Sequence, residues 1–464
     1  MRSKLVNCFT KPFAGFLLFL ASALGQEKQD DPNGTSPVSF SKDIAPVLAQ
    51  KCIACHGPDK TKGGYQLHTF EFALKPGESK NKTITPGEPE HSELYRRVST
   101  DDEDDRMPQK DQPLAKSQIA LIRRWIKEGA RFDGPDRKAA IVTLVPRAPH
   151  PDPPANYPVP VPILALAFSP DGKELAASGY HEITFWSPEN GTLLRRMKGL
   201  AQRTQSLAYS RDGSLLAAAG GSPGQLGEVV LLDPIHGSIL KTLGTTSDMM
   251  LALCFSPDGT SLAAGGADNS VHLYHISTGA EQLLIQQHAD WVMALSFSHN
   301  GAQIASASRD KTARIFDVKT GELESTYAGH SGAIFAMAFS SDDKSVYTGG
   351  RDKKIHLWNA KEAKKSEEIG GFEDDILRIV VDGDLIYSCS ADKNVRCHTA
   401  SDRKLVRNYA GHSDWVYSIA LHPESKRLAT GSHDGEVRVW NIEDGGLIAA
   451  YKGAPGFRNI EARK

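Results

Sequence analysis

The 464 residues carry 54 Lys and Arg against 56 Asp and Glu, a formal net charge of -2, with 40% hydrophobic and 24% charged residues. That balance excludes a global attraction to nucleic acid or to an anionic membrane, and the apolar fraction suffices for buried cores in more than one domain. Six cysteines in so long a chain cannot build the disulfide framework of small secreted domains.

Arg2, Lys4 and Lys11 precede an apolar run from Phe13 to Leu24, and Ala23-Leu24-Gly25 places small residues where a signal peptidase cuts. Residues 1–25 read as a signal peptide removed before Gln26, because a run of about a dozen apolar residues is short of the roughly 20 that span a bilayer. The mature protein is expected to be periplasmic or secreted, without stable membrane insertion. Residues 26–36 read as a flexible polar lead-in.

The next segment, 37–134, holds the strongest chemical signal, Cys52-Ile53-Ala54-Cys55-His56. Two cysteines at this spacing can each form a thioether with one vinyl group of a single haem, and the following histidine then serves as proximal iron ligand. A zinc site would require two further ligands at short spacing, and a redox CxxC would require a βαβ pattern; neither is present. Around the motif the spacing predicts a helix capped by Ser41 with Ile44, Val47 and Leu48 on its apolar face. A second helix is predicted over Ser117–Ala130, with Ile119, Ile122, Trp125 and Ile126 inward. Between His56 and that second helix stands one methionine, Met107, in Arg106-Met107-Pro108. Its thioether suits a distal iron ligand and would direct the haem to electron transfer; His68 and His91 are the rival ligands. Asp101 to Asp105 form an acidic run before it, either a docking patch for a basic redox partner or a solvated loop tip.

These residues resemble the planctomycete-type cytochrome c domain of large secreted proteins. The likeness runs from Phe40 to Phe132 through Cys52 to Pro58, Lys62-Gly63-Gly64, Pro86-Gly87-Glu88-Pro89, Arg106-Met107-Pro108 and Arg124 to Ala130. The resemblance implies a small all-α, class I-like fold with one covalent haem c, held by Cys52 and Cys55 and ligated by His56 and Met107.

Nine prolines fall between Pro135 and Pro162, so 135–162 reads as a Pro-rich linker that either spaces two domains or lies flat on the second. From 163 to 457 a four-strand pattern recurs at intervals of 41 to 46 residues, as in Leu166-Ala167-Phe168-Ser169-Pro170 and Leu253-Cys254-Phe255-Ser256-Pro257. Turn signals such as Asp171-Gly172 separate the strands. The period resembles WD40 repeats, with Gly-His at Gly329-His330 and Gly411-His412, Trp exits at Trp358 and Trp440, and turn aspartates at Asp268, Asp310, Asp352, Asp392 and Asp434. Seven units imply an all-β, seven-bladed propeller in which those residues are structural. Three departures stand out: Tyr180-His181-Glu182 in the first unit, an insertion at Gly220–Gly227 in the second, and His398 in place of Trp in the sixth. Cys389 and Cys397 lie on one hairpin, either paired or as two buried thiols. Residues 458–464 read as a tail.

No HExxH, GxSxG or second cofactor motif occurs. The expected function is therefore an extracytoplasmic mono-haem electron carrier whose propeller docks a redox partner protein, rather than an enzyme. The alternatives are an interaction scaffold or redox sensor with an accessory haem, and a propeller oxidoreductase with a second cofactor.

Overall fold

The computed structural model describes residues 36–57, 61–109, 112–134, 136–145 and 149–457. The expected signal peptide, all but the last residue of the lead-in, and the tail lie outside the described residues, as do short pieces of the Pro-rich stretch. The chain divides into two compact units, Met1–Arg147 and Ala148–Lys464. No helix among the described residues is long and apolar enough to cross a membrane.

The first unit is helical. One π-helical turn, Phe40–Ile44, runs into α1 (Ala45–Lys51), followed by α2 (Ile53–His56), α3 (Phe70–Ala73), α4 (Glu93–Ser99), α5 (Lys116–Lys127) and α6 (Ile141–Leu144). The cap of the first helical turn is Ser39, two residues before the expected Ser41. Ser39 Oγ accepts from Lys42 N at 3.0 Å, and Asp43 accepts in return from Ser39 N at 2.8 Å. Ser41 N is already taken by Asp133 at 2.8 Å, so Ser39 alone can close the reciprocal cap. α5 stops in a Schellman turn: Ala130 N donates to Trp125 O at 2.9 Å and Gly129 N to Ile126 O at 3.0 Å, with Gly129 at φ +97°. The apolar faces meet in one core around Phe40, Ile44, Leu48, Phe70, Ile122, Trp125 and Ile126. Each such buried side chain contributes roughly 1.5–3 kcal/mol.

The second unit is built of antiparallel meanders in six sheets. Five have four strands, and the first has seven. That first sheet contains one long strand, Leu193–Tyr209, whose first half pairs with Tyr180–Trp186 and whose second half pairs with Leu216–Ser222; Arg203 sits at the changeover and is opposed on both sides. Second strands such as Leu216–Ser222, Ser261–Gly266 and Gln303–Ser308 are buried almost throughout. Their Ala, Gly and Ser residues let neighbouring sheets pack closely on both faces. Outer strands such as Lys365–Ile369 are mostly exposed and charged, which discourages edge pairing. The Gly220–Gly227 insertion lengthens a hairpin, with Ser222 opposite Leu226. A Cβ at Gly221 would lie 1.9 Å from Leu226 O, so the lengthened ladder needs glycine there.

The last sheet returns to the first: Ser418 Oγ donates to Ile163 O at 2.9 Å, and His422 Nε2 donates to Pro170 O at 3.0 Å. Residues 150–157 of the Pro-rich stretch lie along this unit. Tyr157 N donates to Pro455 O at 3.0 Å, Arg196 donates to Pro154 O and Ala155 O, and His150 pairs with Glu228.

Candidate haem site and repeat network

Cys52 closes α1, its N–H donating to Leu48 O at 2.9 Å, and opens α2. The next turn returns Cys55 N and His56 N to Cys52 O at 3.1 and 3.0 Å. Cys52, Cys55 and His56 therefore share one turn of helix. Cys52 is half-buried, Cys55 is exposed, and both are free thiols. Burial, with a smaller contribution from Cys55, pushes the Cys52 thiol up to about 12, so it stays protonated at neutral pH. Gly57 follows because a Cβ there would lie 2.8 Å from Ile53 O.

The orientation of the His56 ring decides whether this turn fits a haem. His56 Nδ1 lies 3.2 Å from Tyr65 O. A carbonyl can only accept, so Nδ1 carries the proton and Nε2 keeps its lone pair. Among the described residues Nε2 has no hydrogen-bond partner. A proximal ligand needs this tautomer, with its second nitrogen anchored to a carbonyl. Tyr65 is itself fixed, its hydroxyl donating to Ala73 O at 3.0 Å and its ring 5.5 Å from that of His56. Two thiols and one unprotonated imidazole nitrogen fit a c-type haem.

Met107 is placed by α4. Its N–H donates to Arg97 O at 2.8 Å, and its side chain is half-buried. Two residues earlier, the Asp105 carboxylate binds both Arg96, at 2.6 Å, and Arg97. The same arginines bind Glu93 at 2.9 and 2.8 Å. The Arg96 hydrogen bond leads in holding the Glu93 carboxyl down to about 2. Asp105 is thus part of a clamp, while Asp101, Asp102, Glu103 and Asp104 are exposed. Of the rival ligands, His91 is 78% exposed and paired with Glu88 at 3.1 Å. His68 lies tilted against Phe72 with ring centroids 4.6 Å apart, and its Nδ1 is buried without a hydrogen-bond partner among the described residues.

In the β unit, histidines brace the sheets. His330 pairs with Asp352 at 2.7 Å and with Thr348 Oγ1 at 2.8 Å, and Trp358 Nε1 donates to the same hydroxyl at 3.2 Å. His412, Thr430 and Trp440 repeat the arrangement at 2.7 and 3.0 Å, without a bond to Asp434. His288 bonds Asp310 at 2.8 Å and Ser306 Oγ at 2.7 Å. Sequence reasoning missed His288 because Gln287 precedes it instead of glycine; its distance of 42 residues from His330 was the available signal. In the first unit buried Glu182 replaces the histidine network, bound by Arg196 and Tyr157. In the sixth, Asp392 pairs with Arg396 at 2.7 Å, and burial pulls His398, in the tryptophan place, down to about 4. Cys389 faces Val395 and Cys397 faces Tyr387. This diagonal offset exceeds disulfide reach, and both are free thiols.

Residues 52–111 match the family model "Planctomycete cytochrome C", and residues 237–275, 280–317, 321–359 and 403–441 match "WD domain, G-beta repeat". The chain joins a planctomycete cytochrome c domain to WD40 repeats. The WD40 matches miss the three units that hold Glu182, the Gly220–Gly227 insertion and His398, the three departures from the repeat. Each WD40 match also begins on an outer strand of the preceding sheet: 237–275 takes in Ser238–Thr246 of the first sheet, so successive repeats interlock. The chain is similar to eukaryotic translation initiation factor 3 subunit I of Aspergillus terreus, with 32% identity over 80 residues, 17% of this chain and 24% of that protein. It resembles the Aspergillus niger protein of that name at 36% over 70 residues, 15% and 21% of the two chains. The Neurospora crassa protein gives 31% over 80 residues, 17% and 23%. The chain thus spans about a quarter of these relatives' length.

Proposed function

We propose that this protein is an exported mono-haem c-type cytochrome for electron transfer, with a seven-bladed WD40 propeller as the platform that docks its redox partner. The observation that carries the reading is the His56 ring, proton-bearing on Nδ1 toward Tyr65 O and open at Nε2, on the same turn as two free thiols. Cys52 and Cys55 would hold the porphyrin by thioethers, His56 would ligate the iron, and Met107 would be the distal ligand. Bound there, haem iron supplies a one-electron redox centre, and sulfur ligation raises its potential while closing it to small ligands. The chain's own part is to fix the imidazole tautomer and to hold the Met107 loop on α4 through Arg97 and Asp105. Export follows from the reading of residues 1–25.

Seven blades are supported by the shared strand Leu193–Tyr209, which serves as outer strand of one unit and inner strand of the next. Counting it twice makes seven four-stranded units. WD40 propellers are commonly binding platforms, which is an argument from fold alone.

The test is expression with export and the c-type haem maturation machinery, followed by denaturing gel electrophoresis and intact mass. A haem stain travelling with the polypeptide, and a mass gain of one haem lost in Cys52→Ser and Cys55→Ser, is expected. Haem that leaves on denaturation would refute covalent attachment, and protein without haem would refute the whole reading.

A further inference from the structure

Six inner strands of the second unit carry an irregular step in their ladder, the first, Leu166–Phe168, being regular, and the residue after that step occupies an equivalent place: Ser206, Ala252, Ala294, Ala336, Arg378 and Ser418. All six line one open cavity of about 170 Å³ between the inner strands. Five are Ala or Ser, and the sixth is an arginine. The arginine thus stands out from a ring of small residues that leaves it room.

No Asp or Glu lines the cavity. Arg378 makes no ion pair among the described residues, and its one hydrogen bond is from Nη1 to the carbonyl of neighbouring Leu377, at 2.9 Å. Burial lowers the guanidinium from its ordinary value, and no carboxylate offsets that cost. Arg378 is half-buried and lines this cavity with no carboxylate beside it, so its charge is left for a ligand to balance. Other polar groups face the same space. Ser206 Oγ accepts from Leu253 N at 3.3 Å, which leaves its O–H to donate, and the Gln205 side chain adds an amide. Ser418 is not available, because its O–H goes to Ile163 O.

We infer that this axial cavity is a binding site for a small oxyanion, with Arg378 as its charge partner and Ser206 and Gln205 as supporting donors. A guanidinium offers paired N–H groups that match phosphate or carboxylate oxygens. The volume equals about five or six waters at roughly 30 Å³ each and falls below the 300–1,000 Å³ of pockets for drug-sized ligands. The group seated there is therefore the size of inorganic phosphate or a carboxylate of two or three carbons. The inference is independent of the haem assignment.

The test uses the full-length haem-loaded protein, titrated calorimetrically with phosphate and, separately, with acetate, at ionic strength held constant with sodium chloride. Saturable one-to-one binding of at least one of the two is expected, at least tenfold weaker in Arg378→Ala and intermediate in Arg378→Lys. Arg378→Ala installs the residue found at positions 252, 294 and 336, so it should fold. If its circular dichroism shows otherwise, Arg378→Gln, which keeps the volume without the charge, decides the question. Equal binding by the wild type and the neutral variant, or no saturable binding of either anion to the wild type, would overturn the inference.

Discussion

Arg196→Met is the sharpest stability test of how the β unit begins. Glu182 is fully buried; its carboxylate accepts from Arg196 Nε at 2.6 Å, from Arg196 Nη2 at 2.8 Å and from the Tyr157 hydroxyl at 2.6 Å. Arg196 also donates to Pro154 O and Ala155 O at 2.7 and 2.8 Å, so one guanidinium ties the Pro-rich segment to the first sheet. Methionine keeps the apolar stem but strands a buried carboxylate, which costs about 3–5 kcal/mol. Adding Glu182→Gln removes the stranded charge. What then remains is the two bonds to the segment, about 1–3 kcal/mol in all. The double variant should therefore be more stable than Arg196→Met alone, with a coupling energy of about 2 kcal/mol. Urea unfolding followed by tryptophan fluorescence reads this, because five of the six tryptophans lie in the β unit. Arg196→Met within 0.5 kcal/mol of wild type, taking about 0.5 kcal/mol as the additivity limit, or strict additivity of the two changes, would refute the reasoning.

Three further outcomes are expected. Burial opposes charge on His272, but hydrogen bonds to Asp268 at 2.8 Å and Glu281 at 2.6 Å prevail and push it up to about 9 from 6.5. A raised folded value means stability fully present below pH 6.5 and lost as pH rises through 9, about 3 kcal/mol in all; melting curves across this window should show a decline that His272→Gln abolishes. Asp105→Asn should loosen the Arg96 and Arg97 clamp by about 1 kcal/mol and speed hydrogen exchange at the Met107 amide about fivefold, leaving α5 unchanged. Burial pushes the Cys254 and Cys389 thiols up to about 12, so a thiol reagent at pH 8 should label them only after unfolding.

The sequence and structure part company at identifiable places. The turn carrying Cys52, Cys55 and His56 follows from residue spacing, whereas its anchor does not, because Tyr65 contributes a backbone carbonyl that no side-chain pattern records. Ser39 and Ser41 are equally good caps by composition; only Asp133, more than 90 residues away, decides between them. The four-strand period is plain in the chain, but Lys198-Gly199 within Leu193–Tyr209 looks like a turn, and the continuous strand there joins two units into one sheet. Glu182 looked like a defect in the first unit because its partners come from Tyr157 in the Pro-rich segment and Arg196 in the next strand. Arg378 is an ordinary charged residue until the repeats are set in register, when its five small counterparts expose it.

The central claim rests most directly on optical spectra, oxidised and reduced, of protein exported with the haem maturation machinery, recorded for the wild type and Met107→Ala. The account predicts a low-spin c-type spectrum with the weak far-red band of sulfur-ligated ferric iron, and loss of that band in the variant. A high-spin wild-type spectrum, or one unchanged by the substitution, would contradict it.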